Sequence, residues 1–394
     1  MKTVLLKAPL LTKSGYGVHS RQVARWLFSL SDELDITCEL LNWGMTPWIT
    51  DTKAHDGLVG RIVQTCGNTK PFYDVAISLQ LPNEWNPFLA ACNIGITAGV
   101  ETDLCNPEWV NCVNRMQRVV VPSEFARQAF ITNPQVKCNT QIDVIPEAFM
   151  DEARLENLSS IKPPNLELST DFNFLVVGQI TGNNPDNDRK NLFYAVKWLT
   201  EVFSGREDVG VVVKTNMARQ THIDRTVVTN LFNRILGEVK ANSVGPKVYL
   251  LHGEMTEQEM VGLYTHPKIK ALLSLHHGEG FGLSLLEASA CGLPVIATDW
   301  SAPTEFLGLG KYIKVENTVA PVHPSRVDNS IFMPTAKWAV PNEADAKKKL
   351  AKFYDSPHLP KQWAKELQGK IQEQYNQDMI NKTFTEKLGK LLTA

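Results

Sequence analysis

Two glutamates eight positions apart, Glu279 and Glu287, stand in and after a glycine-rich run, Gly278-Glu279-Gly280-Phe281-Gly282-Leu283. An apolar stretch that reads as a strand precedes the run, and a helix begins near Leu283. Glycines let backbone approach a ligand without a Cβ, and a helix start offers unpaired N–H groups and the positive end of its dipole. That combination suits a diphosphate; the competing reading is a strand-to-helix turn that only packs tightly. The two carboxylates favour the first. Both can face one cleft, and carboxylates accept the paired hydroxyl hydrogen bonds that sugar and ribose recognition requires. Glu287 also lies among Leu285, Leu286 and Ala288, where an acid is seldom a free surface residue.

Short apolar runs that read as strands fall at Thr3–Leu6, Ile36–Leu41, Val75–Leu79, Ile94–Thr97, Val119–Val121 and Ile142–Ile145. Helical patterns separate several of them, one after a loop carrying Ser14, Gly15, Tyr16 and Gly17 and one over Ser123–Phe130. A polar, proline-bearing segment near 157–170 reads as a linker. A second series follows, with strands at Phe174–Val177, Val209–Lys214, Val248–Leu251, Ala271–Leu275 and Pro294–Thr298, and helices from Leu192, near Val227–Val239 and from Leu283. Such alternation predicts parallel sheets covered on both faces. The expected organisation is a first Rossmann-like domain over 1–160, a second over 161–355 and C-terminal helices over 356–394. The Lys-rich run Lys347–Lys349 reads as one solvated helix face.

Glu279 to Glu287 resembles the E-x7-E motif of retaining glycosyltransferases of the GT-B fold, in particular glycosyltransferase family 4. Ala290-Cys291-Gly292-Leu293-Pro294-Val295-Ile296-Ala297-Thr298 is similar to the strand that follows that motif in the family. Asp188-Arg189-Lys190-Asn191, Val120-Val121-Pro122-Ser123-Glu124 and Val144-Ile145-Pro146 resemble other family segments, in the family's order. Glu101-Thr102-Asp103, with Pro107 and Trp109, resembles a segment of one branch, and the likeness extends to phage-encoded members.

The resemblance implies an α/β, GT-B architecture: two doubly wound domains facing across a cleft, with C-terminal helices crossing back to the first. It implies transfer of a hexose or pentose from a nucleoside-diphosphate sugar, UDP-sugar favoured, to an acceptor hydroxyl with retention of configuration. Gly15 and Gly17 would lie over the diphosphate, and Arg189 and Lys190 would neutralise it as the leaving group gains charge. The N–H groups of Gly280, Phe281, Gly282 and Leu283 would bind the same phosphates. Glu279 would hold sugar hydroxyls, Glu287 the ribose and Glu254 the base side. The family's "V-G-R" turn reads Val177-Gly178-Gln179 here, which leaves the phosphate charge to Arg189 and Lys190. The family's first-domain His is missing from Ile96–Glu101, so Glu101 or Asp103 would take the sugar-side catalytic place beside Glu279. Tyr16, His19 and Trp43 are the acceptor-side candidates.

Asp186-Asn187-Asp188 matches the metal-binding D-x-D pattern, but Asp and Asn in a Gly/Asn/Pro loop are ordinary turn residues, so no essential metal and no tightly bound cofactor is expected. His276 and His277 read as packed strand-end histidines. The chain has 394 residues, 43% hydrophobic and 21% charged, with a formal net charge of −2, which argues against a protein that coats a polyanion. Residues 1–165 carry 14 Lys and Arg against 17 Asp and Glu. The acceptor is therefore left open among a glycan, a small molecule and a hydroxymethylated pyrimidine in DNA. A sugar-nucleotide epimerase and a non-catalytic donor-binding module are the competing functions. Seven cysteines without metal-ligand spacing, no apolar run long enough for a membrane span, and an opening segment unlike a signal peptide lead to a cytoplasmic expectation without integral membrane association.

Overall fold

The computed structural model of the chain describes residues 1–67, 69–180, 184–218, 220–240 and 245–393. The chain forms two compact units, one of Met1–Ala148, Asn329–Met333 and Gln377–Ala394, the other of Phe149–Asp328 and Pro334–Asn376. Each is built on a six-stranded parallel sheet with flanking helices, the Rossmann-like layout of the GT-B fold.

In the first unit the strands are β1 (Lys2–Ala8), β2 (Leu34–Leu40), β3 (Tyr73–Leu79), β4 (Ala90–Ile96), β5 (Arg118–Val121) and β6 (Ile142–Val144), in the order β2-β1-β3-β4-β5-β6. Val4, Leu6, Ile77, Leu79, Ile94 and Ile96 are wholly or almost wholly buried, in one cluster with Trp26 and Leu27 of the helix Gly15–Ser29. Ile380, Phe384 and Leu388 of the last helix, Gln377–Thr393, complete that core. Trp26 and Phe384 stack with centroids 4.8 Å apart, and the Trp26 indole N–H donates to Thr385 Oγ1 at 3.0 Å.

In the second unit β7 (Phe172–Val177), β8 (Val209–Thr215), β9 (Lys247–His252), β10 (Ile269–Ser274), β11 (Val295–Thr298) and β12 (Ile313–Val315) take the order β12-β11-β10-β7-β8-β9. Burial alternates along the strands. Leu175, Val212 and Leu272 face one core with the helix Leu283–Ala290, whereas Phe174, Val176, Val211, Val213, Ala271 and Leu273 face another with the helix Leu192–Val202. A sheet buried on both faces explains why these strands read as unbroken apolar runs.

Three differences from the sequence reading have local causes. Gly15 and Gly17 stand in the first turn of a helix rather than in a loop, because Ser14 caps it by accepting from Gly17 N. The helix expected near Val227 starts at His222. An antiparallel hairpin, β13 (Asn317–Pro321) and β14 (Lys337–Pro341), escaped notice, since a proline closes each of its strands and suppresses the strand signal. The Lys-rich run lies on the surface of the helix Glu343–Asp355, where Lys347 pairs with Glu201 and Glu343 and Lys349 with Asp345. All seven cysteines are free thiols. Among the described residues no helix is long and apolar enough to cross a membrane.

Candidate active site

The centre of the second unit's site is the ion cluster around Glu279. Its carboxylate meets Arg189 Nη1 at 3.0 Å and Lys190 Nζ at 2.5 Å. The Arg189 guanidinium also donates to the Gly278 carbonyl at 2.8 Å. Glu279 is 6% exposed. Burial alone would raise its pKa, but Arg189, Lys190 and the nearby His276 outweigh burial and hold the carboxyl at about 2. Glu279 is thus ionised across the neutral range and a very weak base.

Local sequence aims the two cations. Asp188 caps the helix Leu192–Val202 by accepting from Leu192 N at 2.9 Å, and Asn191 turns the chain in the left-handed region at φ 56°. Asn191 Nδ2 donates to the Leu275 carbonyl at 3.0 Å, and His277 N donates to the Arg189 carbonyl at 2.9 Å. These bonds fasten Arg189 and Lys190 to the end of β10, where the glycine run begins. Asp186 and Asn187 belong to the short turn Pro185–Asn187, whose backbone N–H groups are capped by Asn184. Among the described residues no cluster of three or more His, Cys, Asp and Glu could hold a metal ion.

The glycine run does what its residue types require. Gly282 sits at φ 97°, and a Cβ there would come within 2.7 Å of Pro303, so glycine is needed twice over. Phe281 is buried against Phe306, and Gly280 completes the turn. Leu283 opens the helix; the N–H groups of Leu285 and Leu286 donate to the Gly282 carbonyl at 2.9 and 3.1 Å, and those before them have no preceding turn to donate to. Ser301, itself at φ 64°, accepts from Glu279 N at 3.0 Å through Oγ and props the loop from behind. Glu287, on the second turn and 9% exposed, accepts from the buried Tyr264 hydroxyl at 3.1 Å. Glu254 is exposed on the loop after β9.

Lys214, Tyr264 and Ser301 escaped the sequence reading. Lys214, next to last in β8, is buried, and its ammonium donates to Gly253 O and Asn216 Oδ1, each at 2.6 Å. Burial lowers its pKa to about 8. The signal was a lysine directly after the apolar run Val209–Val213 within one strand. His276 and His277 are packed; His276 is 0% exposed, has no hydrogen-bond partner on either ring nitrogen among the described residues, and is held neutral by burial, with a pKa of about 4.

In the first unit Tyr16 and Trp43 stack at 4.1 Å, and Tyr16 Oη lies 2.9 Å from Thr97 Oγ1 and accepts from Ala98 N. His19 is not on the surface with them: it is 1% exposed and 3.9 Å from the buried Glu147. Burial lowers the His19 pKa to about 4 and raises that of Glu147 to about 8, so at pH 7 both are neutral and the pair is not a salt bridge. Glu101 and Asp103 lie half-buried in the segment between β4 and the helix Pro107–Val113. Gly15 is exposed, whereas a Cβ on the buried Gly17 would strike Thr12 O at 2.0 Å.

The Glu279 cluster sets an acid limit on stability. A carboxyl whose pKa falls on folding contributes stability that is complete above its unfolded value and is lost as pH drops through the folded one. For Glu279 that window runs from 4.5 down to about 2. Chemical denaturation of wild type and Glu279→Gln across this window should show an advantage for wild type of roughly 3 kcal/mol above it, shrinking as pH falls. An advantage independent of pH would place its origin outside this carboxyl.

Residues 231–322 match the family model described as Glycosyl transferases group 1, a span that contains the glycine run, Glu279, Glu287 and Glu254. A probable sucrose-phosphate synthase of Thermosipho melanesiensis is 25% identical over 189 residues, which are 45% of this chain and 39% of that relative's length. Among solved structures, sucrose-phosphate synthase of Thermosynechococcus elongatus aligns with a TM-score of 0.61 at 14% identity, over 99% of each chain. HepE of Anabaena, in complex with UDP and glucose, gives 0.58 at 13% identity over 99% of this chain and 100% of its own. The trehalose-6-phosphate structure from E. coli, bound with UDP-2-fluoro glucose, gives 0.62 at 10% identity over 100% and 99%. At these identities the structural likeness is one of fold.

Proposed function

We propose that this chain, which carries a group 1 glycosyltransferase domain on a GT-B fold, transfers a hexose or pentose from a UDP-sugar to an acceptor hydroxyl with retention of configuration. The observation that carries the reading is the buried Glu279 carboxylate held between Arg189 and Lys190 at the head of a glycine run and a helix start. Anionic phosphate is favoured there by two cations and by the open N–H groups of Phe281, Gly282 and Leu283. UDP is preferred over other nucleotides because HepE and the E. coli protein were solved with UDP or a UDP-sugar. Glu287 takes the ribose hydroxyls and Glu254 the base side, while Glu279 orients the donor sugar.

Glu279 cannot act as general base, since a group with a pKa near 2 does not accept a hydroxyl proton at neutral pH. The acceptor proton passes instead to the departing phosphate oxygen on the same face of the sugar, whose growing charge Lys190 and Arg189 stabilise. This route needs no protein nucleophile and no metal ion. Glu101 and Asp103 serve the sugar side, and the stacked Tyr16 and Trp43 offer an acceptor platform. His19, buried near Glu147, is not part of that platform's surface. The acidic balance of residues 1–165 favours a saccharide or small-molecule acceptor over a base in DNA.

Thermal unfolding in the presence of UDP, GDP and ADP tests the donor site, because a ligand that binds only the folded state raises its stability. UDP should give the largest rise, and Glu287→Gln, which can still accept from Tyr264, should remove most of it. The absence of any rise with all three nucleotides would overturn the donor assignment.

A further inference from the structure

Beside the Glu279 cluster, on the side of the sheet covered by the helix Leu192–Val202, the second unit holds a separate cavity of about 620 Å³. The turn Pro185–Asn187, that helix, the end of β10 and the hairpin β13–β14 wall it. Its volume is that of a small-molecule site. None of the residues assigned above to the donor lines it.

The wall is aromatic and carries few charges. Tyr194, Trp198 and Trp338 contribute ring surface, and His277 stacks on Trp338 at 4.4 Å. Asp186 is the charged group among the described lining residues, and none of these is Lys or Arg. Phosphate is therefore disfavoured here, in contrast to the glycine run.

Three polar atoms on lining side chains have no hydrogen-bond partner among the described residues: Asn191 Oδ1, Trp198 Nε1 and His277 Nε2. Those side chains belong to residues 2%, 5% and 7% exposed. The His277 tautomer follows from its other nitrogen. Nδ1 lies 2.6 Å from the Ala339 carbonyl, which only accepts, so Nδ1 carries the proton and Nε2 presents a lone pair. Burial also holds this imidazole below its usual pKa and hence neutral. Asn191 and His277 thus hold unmet buried acceptors and Trp198 an unmet buried donor in side chains that line the cavity, and the exposed Asp186 accepts from the Tyr194 hydroxyl at 2.8 Å.

Hydroxyl groups both donate and accept, and a sugar ring adds a flat C–H face that packs on aromatic rings. A nucleobase fits less well. Tyr194 and Trp198 meet at 46°, which makes a wedge for a puckered ring rather than a parallel slot for a planar one. We infer that this cavity is a second carbohydrate site, for a neutral, unphosphorylated glycosyl unit, distinct from the donor site. The inference stands on the cavity's own geometry and does not require the donor reading.

Saturation-transfer NMR with glucose, xylose, N-acetylglucosamine and maltose, alongside glucose 6-phosphate and uridine, tests it on the full chain. Saturating UDP fills the nucleotide part of the donor site, and Glu279→Ala, tested together with UDP and alone, removes the carboxylate assigned to the donor sugar. At least one neutral saccharide should bind at millimolar concentration under each of these conditions, and more tightly than glucose 6-phosphate. Tyr194→Ala should weaken that binding roughly tenfold by removing one ring face. Asp186→Asn, a surface change that leaves the core untouched, should weaken it in the same direction. The inference is overturned if no neutral saccharide binds, if UDP or Glu279→Ala abolishes the binding, if both cavity variants leave it unchanged, or if uridine binds in preference.

Discussion

Lys190→Met should leave the protein folded and lower kcat by about 10²- to 10³-fold, the usual cost of removing one charge-stabilising donor from a transition state. The fold survives because Arg189 still pairs with the buried Glu279, so the substitution strands no charge. The long apolar side chain of methionine also replaces the stem of the lysine. The rate falls because the diphosphate gains negative charge as the glycosidic bond breaks, and Lys190 is one of two cations at the cluster. Release of UDP from UDP-glucose, followed with and without added saccharide, reads the effect. A loss shared by kcat and kcat/KM marks an interaction made in the transition state, whereas a rise in KM alone marks ground-state binding. Unchanged kinetics would remove Lys190 from the chemistry and leave it as the structural partner of Glu279.

This prediction rests on residues that could be picked out by type and spacing, and on a geometry that could not. The adjacent pair Arg189-Lys190 and the Glu279–Glu287 spacing stand out along the chain, as does the strand and helix alternation that carries them. That both cations converge on Glu279 depends on Asn191 binding Leu275 and on His277 binding Arg189, contacts between segments far apart in sequence. Local pattern carries no information about such pairings. Lys214 was hidden for a similar reason. It looks like a strand-end lysine until the Gly253 carbonyl, on the loop after β9, is found to accept a hydrogen bond from its ammonium. The cavity beside β13–β14 was the least legible feature. Its hairpin pairs Asn317 with Pro341 and Pro321 with Lys337, and prolines at both strand ends resemble loop punctuation. His19 shows the opposite failure: its place after a glycine pair suggested a surface role, but helical periodicity turns it inward toward Glu147.

The same glycine pair separates structural need from ligand need. Gly17→Ala should destabilise the first unit by about 3 kcal/mol or more, a large overpacking cost, because the new Cβ would lie 2.0 Å from Thr12 O and 2.7 Å from Thr12 Oγ1. Thr12 cannot yield easily. It is 0% exposed, its hydroxyl donates to Pro9 O, and its carbonyl accepts from the buried Arg21 at 2.9 Å. Gly15→Ala faces open space, with nothing within 4 Å of the added Cβ and no positive φ to strain. It should stabilise the folded chain by about 0.4–1 kcal/mol through the entropy of the unfolded state. Thermal unfolding of the two variants should therefore move in opposite directions. Activity then tells why each glycine is there. If Gly15 lies against the diphosphate, Gly15→Ala loses turnover while gaining stability, a combination that a purely structural glycine cannot produce. If Gly15→Ala keeps full turnover, the backbone at this helix start does not touch the donor, and the phosphate-binding role contracts to Arg189, Lys190 and the glycine run of the second unit.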